Sequence, residues 1–227
     1  MKNIIFMLMF IVCMNAKGQN SNKFLDYFPS ISRDSTIRTR QQFVRLYYKI
    51  VDENSFPDSI ALKRFFDNDP QKMEDMEIGY NVDDNTYIYT SFIKKVCPFY
   101  KIKNEKTYLL CYVIESVAYL SFYDSINNKI ENTLIVSDFS DDLGNVVTHS
   151  IIFPNNNIVT VQIRSEKINY VLLRIDYKSH TFLELKKIET ESNQSDDSIM
   201  DNSFDILGIS KEGELLEPNE EIKLNQQ

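Results

Sequence analysis

Residues 107–124 read TYLLCYVIESVAYLSFYD, and this stretch decides the fold. It holds two runs, Tyr108–Ile114 and Val117–Tyr123, both rich in β-branched and aromatic residues, which fit a pleated and largely buried surface. Tyr108–Ile114 is apolar at odd and even positions alike, as expected for a central strand covered on both faces. Further strands are expected downstream over Asn132–Val136, Thr148–Phe153, Ile158–Ile163, Tyr170–Asp176 and Thr181–Leu185. The connections Ser125–Lys129, Pro154–Asn157 and Lys178–His180 carry the residues that turns use, and Asn tolerates the left-handed conformation such turns need. Short strands at this spacing predict a mainly β chain built on an antiparallel sheet, as a sandwich, a barrel or a propeller-like arrangement. In Ile158–Arg164, Val159, Val161 and Ile163 are expected to face inward and Thr160, Gln162 and Arg164 outward.

Upstream, Phe24–Pro29 is an aromatic cluster expected to dock on the sheet. Thr39–Val51 fits a helical face and strand alternation equally, and periodicity does not separate the two. A short helix is expected over Asp58–Phe66, with Asp58 or Ser59 near its cap and Pro70 ending it. Thr86–Val96 reads as the strand that opens the β region. Downstream, residues 189–203 are acidic and rich in Ser and Asn, which reads as a linker. Residues 204–216 regain apolar content around the turn Lys211-Glu212-Gly213 and read as a last hairpin, before a solvated tail over 217–227. A single mostly-β domain is therefore expected over residues 19–188.

The N-terminus has the order of a secretory signal peptide. Lys2 is followed by an apolar run, Ile4–Val12, and then by Asn15-Ala16-Lys17-Gly18-Gln19. Ala16 and Gly18 are the small residues at −3 and −1, so cleavage is expected between Gly18 and Gln19. The run is too short to span a bilayer, which takes about 20 apolar residues. No transmembrane span is expected in the mature chain, and a periplasmic, cell-surface or secreted location follows. A lipidated Cys13 is the second export reading, although Val12 stands where such cysteines are preceded by a small residue.

Composition narrows the function. The 227 residues carry a formal charge of −8, and a chain of this sign repels phosphate backbones, so no nucleic-acid partner is expected. Hydrophobic residues make up 43%, enough to bury a sizeable core, and 13 Tyr with no Trp leave Tyr and Phe to build core and surface patches alike.

The plan as a whole resembles small exported β-rich proteins of Bacteroidota. The resemblance covers the signal peptide, the entry Phe24–Pro29, the short helix and the strand–turn–strand run Tyr119–Val136, but no specific motif. It implies export without implying an activity. Asp34-Ser35-Thr36, Asp58-Ser59-Ile60, Asp124-Ser125-Ile126 and Asp197-Ser198-Ile199 are similar to the O-glycosylation acceptor of that phylum, which marks Ser35, Ser59, Ser125 and Ser198 as acceptor positions. Asp-Ser is equally a common turn and cap pair.

Candidates for chemistry are few. His149 and His180 are the only histidines, and neither has the neighbours a zinc site needs. No Gly-x-Ser-x-Gly elbow and no glycine-rich phosphate loop occurs. Asp138–Asn145 alternates oxygen donors, but a calcium loop counted from Asp138 requires Gly and Glu where Leu143 and His149 stand. An acidic loop is the expected reading, and no metal or cofactor is expected. With Cys13 removed, Cys97 and Cys111 remain. They fit either a bridge between neighbouring strands, closing a loop of about 15 residues, or two thiols packed as small apolar side chains. The expectation is an exported binding or interaction protein with a protein or glycan partner and no catalytic residue. The alternative is a carboxylate-dependent hydrolase such as a glycosidase, recognisable by two buried carboxylates with opposed pKa shifts in a cleft.

Overall fold

The computed structural model describes residues 23–39, 55–81, 86–105, 107–138, 147–164, 167–191 and 196–216; for 77–81, 86–90 and 196–198 it describes the backbone alone. Among these residues the chain is mainly β. Eight strands follow one another as an antiparallel meander: β4 (Val96–Asn104), β5 (Thr107–Ile114), β6 (Val117–Asp124), β7 (Lys129–Asp138), β8 (Val147–Ile152), β9 (Asn157–Arg164), β10 (Lys167–Asp176) and β11 (Thr181–Glu191). The ninth strand of this sheet, β1 (Ile37–Arg38), lies antiparallel to β8. A hairpin of β2 (Glu74–Asn81) and β3 (Thr86–Ile93) forms a separate two-stranded sheet.

The long sheet doubles over. Phe122 of β6 packs against Phe182 of β11 and against Tyr177 and His180 of the β10–β11 turn, although four strands lie between β6 and β11 in the ladder. The inner core therefore draws Leu109, Cys111, Leu120 and Phe122 from one half and Ile158, Val171, Leu173 and Ile175 from the other. Each fully buried large side chain of this kind contributes on the order of 1.5–3 kcal/mol. The fold occurs where the ladder is thinnest. Among the described residues, β7 and β8 share only the pair Asp138–Thr148.

The two outer faces are covered by different elements. Over β4–β6 lie Phe24, Leu25 and Phe28, together with Phe56, Ala61 and Phe66 from helix α1 (Asp58–Phe65) and its flanks, packed on Leu110, Tyr112 and Tyr123. Docking of the Phe24–Pro29 cluster is thus borne out, and β5 is buried on both faces as expected. Over β8–β10 lies α3 (Asp196–Leu207), whose Ile199 and Leu207 pack on Ile151, Val159, Val161 and Leu172.

Helix α3 corrects the reading of residues 189–203 as a linker and of the stretch after 204 as strand. Strand β11 runs on to Glu191, and Ile199, Met200, Ser203, Phe204 and Leu207 recur at helical spacing. Gly208, at φ 62°, closes the helix: its N–H donates to Asp205 and that of Ile209 to Phe204, the paired bonds of a glycine C-cap. The turn at Lys211–Gly213 is present, closed by the bridge Ile209–Leu215.

Three smaller expectations change. Thr160 is buried and hydrogen-bonded to Ser150, because α3 and the doubled sheet cover both faces of β9. Pro70 does not end a helix; it opens the short α2 (Pro70–Met73), where its missing N–H costs nothing and Asp69 accepts from Gln71 N–H. Thr86–Val96 divides into β3 and the start of β4, so the neighbour of β5 is β4 and not β3. Residues 40–51 of the ambiguous stretch lie outside the described residues.

Candidate functional site

Two regions of the surface combine unusual geometry with chemistry, and the strand register sets them far apart. The β4–β5 ladder begins at Val96–Ile114 and finishes at Asn104–Thr107. The β2–β3 hairpin leads into the first end through Lys94 and Lys95. The turns β4–β5, β8–β9 and β10–β11 gather at the second.

At the first end, the hairpin is anchored by charge. Lys94 Nζ lies 3.0 Å from Asp75 Oδ2. Glu115, which turns the chain from β5 to β6 at φ 55°, faces Asp75. Burial raises the Glu115 pKa, Asp75 raises it further, and Lys94 opposes both. The Met76 N–H and Lys94 hold Asp75 below its ordinary value. The two carboxyl groups have opposed shifts, but they touch, whereas a glycosidase pair stands about 5–10 Å apart. They read as the foot of the hairpin.

The linkage has a definite sign. A carboxyl with a raised folded pKa stabilises fully below its unfolded value and loses that contribution as pH rises through the raised one. Glu115→Gln is therefore expected to raise the melting temperature at pH 7, with the difference disappearing toward pH 4. Solvent screening holds the gain below about 1 kcal/mol, a few degrees at most. Thermal unfolding of both proteins across that range checks it, and equal melting temperatures at pH 7 count against this account of the foot.

Beyond the foot, the hairpin presents apolar side chains to solvent. Met76, Phe92 and Ile93 are 59%, 39% and 48% exposed. The register Glu74–Ile93, Met76–Ser91, Ile78–Tyr89 and Tyr80–Tyr87 sets these eight positions on one face of the ladder, six of them apolar or aromatic, while Phe92, opposite Asp75, lies on the other. An isolated two-stranded hairpin is marginally stable in water at best.

At the second end, Arg33 donates to Asn156 Oδ1 at 2.7 Å and to Asn104 Oδ1 at 3.3 Å, and its guanidinium lies 5.2 Å from the centre of the Tyr177 ring. Asp176 accepts from Lys178 N–H and Ser179 Oγ, which shapes the β10–β11 turn. His180 closes that turn at φ 53°. Its ring stacks on Phe122 and reaches Thr107 Oγ1 at 2.9 Å through Nε2 and Glu131 Oε2 at 3.0 Å through Nδ1. Sequence reading missed these partners because they come from β5 and β7, 73 and 49 residues from His180.

The other singled-out residues are dispersed. Cys97 and Cys111 are both buried and both free. The register sets Cys97 opposite Val113 and Cys111 opposite Tyr100, so they sit diagonally across the ladder rather than face to face. Burial pushes both thiols up, Cys111 strongly, which keeps them unreactive. His149 is buried in β8. Ser35 and Ser59 are exposed, and Ser125 is half-buried in the β6–β7 turn. Asp124 spends its carboxylate on the N–H groups of Ile126 and Asn127, the turn role that Asp-Ser pairs often take. Asp58 opens α1 without capping it and pairs with Lys95 at 2.7 Å. Ser198 lies in α3, with its side chain outside the described residues, as do Gly18, Gln19, Cys13 and residues 139–146 of the acidic loop.

Among the described residues no helix is long and apolar enough to cross a membrane, and no group of three His, Cys, Asp or Glu could hold a metal ion. No family model, no curated protein and no solved structure matches this chain.

Proposed function

We propose that this is an exported protein that works by contact, and that the β2–β3 hairpin is its contact surface. The observation that carries the reading is the hairpin itself: a two-stranded sheet apart from the main one, with Met76, Phe92 and Ile93 exposed. Apolar side chains exposed together on one element mark interaction sites. Met76 and Ile93 offer no hydrogen bonds, which favours a protein over a glycan as partner. The order of residues 1–19 supports export, and the exposed Ser35 and Ser59 suit glycan acceptors on the same route.

The test is site-specific photo-crosslinking in the producing cell. A crosslinker at Ile93 is expected to yield a discrete protein adduct. One at Ile126, which is 75% exposed but lies in the β6–β7 turn, is expected to yield none. Changing Met76 and Phe92 to Ser should reduce the adduct roughly tenfold or more without lowering the melting temperature. Equal adducts from both positions, or an adduct indifferent to those substitutions, would overturn the proposal. A polysaccharide adduct would move the partner to the glycan class.

A further inference from the structure

We propose that Thr107, His180 and Glu131 form a hydrolytic site for neutral carboxylic esters at the turn end of the doubled sheet. This goes beyond the contact function and stands apart from it, at the opposite end of the β4–β5 ladder.

The argument is geometric. A hydroxyl, an imidazole and a carboxylate stand in line, with Oγ1 to Nε2 at 2.9 Å and Nδ1 to Oε2 at 3.0 Å. A carboxylate only accepts, so the proton between His180 and Glu131 belongs to Nδ1. That tautomer leaves the Nε2 lone pair free to accept from the Thr107 hydroxyl, which is how a general base meets a nucleophile. Phe122 stacks on the ring, and the backbone that carries it is fixed by Asn132 Nδ2 donating to the His180 carbonyl at 2.7 Å and by the Asp176 bonds within the turn. The His180 and Glu131 side chains remain 25% and 30% exposed.

Thr107 opens onto a surface hollow of about 500 Å³, lined also by Asn104, Glu105, Asp176, Tyr177 and Lys178. Glu105 and Asp176 disfavour anionic substrates, while Lys178 brings one positive charge to the rim. The hollow thus suits an uncharged ester. Thr107 Oγ1 attacks the acyl carbon as its proton passes to His180 Nε2. Collapse of the tetrahedral intermediate breaks the carbon–oxygen bond to the alcohol, which departs with that proton and leaves the acyl group esterified to Thr107. Water, deprotonated by the same Nε2, then releases the carboxylic acid and restores the hydroxyl.

The experiment uses the full chain with p-nitrophenyl acetate, together with a fluorophosphonate probe mapped by peptide mass spectrometry. The probe is expected to label position 107 both in the wild type and in Thr107→Ser. Hydrolysis is expected to fall at least about 100-fold in Thr107→Val and His180→Ala, and to persist in Thr107→Ser. Absence of a Thr107 adduct in the folded wild type overturns the proposal whether or not the variants fold. So does a rate unchanged in His180→Ala. If His180 only ties strands together, His180→Ala will melt lower while no adduct forms at Thr107. Neither result bears on the hairpin crosslink.

Discussion

Thr39→Val is expected to lower the melting temperature by roughly 5–15 °C, corresponding to about 2–4 kcal/mol for a domain of this size. Thr39 is fully buried just after β1, at the place where β7 and β8 share a single pair among the described residues. Its hydroxyl stands in for the missing ladder. Its one proton lies within reach of the Val136 carbonyl of β7 at 3.0 Å and the Ser150 carbonyl of β8 at 3.1 Å, and its oxygen accepts the Ser150 N–H at 2.9 Å. Valine keeps the shape and removes all of this, leaving buried backbone groups without partners. Thr39→Ser keeps the hydroxyl and should lose only the packing of one methyl group, about 1 kcal/mol. Melting curves of the two variants decide the matter. Equal losses would mean that the methyl group, and not the hydrogen bonds, joins the halves of the sheet.

Gly213→Ala is expected to cost a similar amount, about 2–4 kcal/mol, for two reasons that add. Gly213 sits at φ 80°, which a side chain disfavours, and an added Cβ would stand 2.5 Å from Cγ and Cδ2 of Phe153. Phe153 cannot easily retreat. It is 3% exposed and packs edge-on against Phe204 of α3 at 6.2 Å. The Gly213 carbonyl meanwhile accepts from the buried Asn157 Nδ2 at 2.7 Å, so movement of the turn would break that bond as well. Chemical denaturation of wild type and variant measures the loss. Phe153→Leu in the Gly213→Ala background should recover part of it, because a smaller side chain relieves the contact but not the backbone strain. No recovery would assign the cost to φ alone.

Both positions lie where distant segments meet; the sequence marks Gly213 as a turn residue but shows neither its contact with Phe153 nor the role of Thr39. The strands did stand out, because their signal is local. Alternating or continuous β-branched and aromatic runs bounded by turn residues located β5 to β10 to within a few residues and the start of β11, whose polar second half to Glu191 gave no such signal. The Asn-rich turns were equally legible: Asn128 at φ 57° and Asn156 at φ 70° hold the left-handed positions that Asn tolerates. Strand β4 was missed because Pro98 interrupts its pattern; the ladder slips between Pro98 and Tyr100, which is how an edge strand admits proline. Helix α3 was missed because its polar composition outweighed the helical spacing of Ile199, Ser203 and Leu207.

The chain's own order of residues determined that it would be a mostly antiparallel β protein, that β5 would be covered on both faces, and that Phe24, Leu25 and Phe28 would pack on the sheet. These follow from side-chain periodicity and burial, which act over neighbouring residues. Only the tertiary structure decided that the sheet doubles over at β7–β8, that α3 closes the second outer face, that Cys97 and Cys111 stand diagonally apart, and that His180 meets Thr107 and Glu131. Those outcomes depend on which strands come together across the interior. That is settled by packing among residues far apart in the chain, and no spacing along the sequence records it.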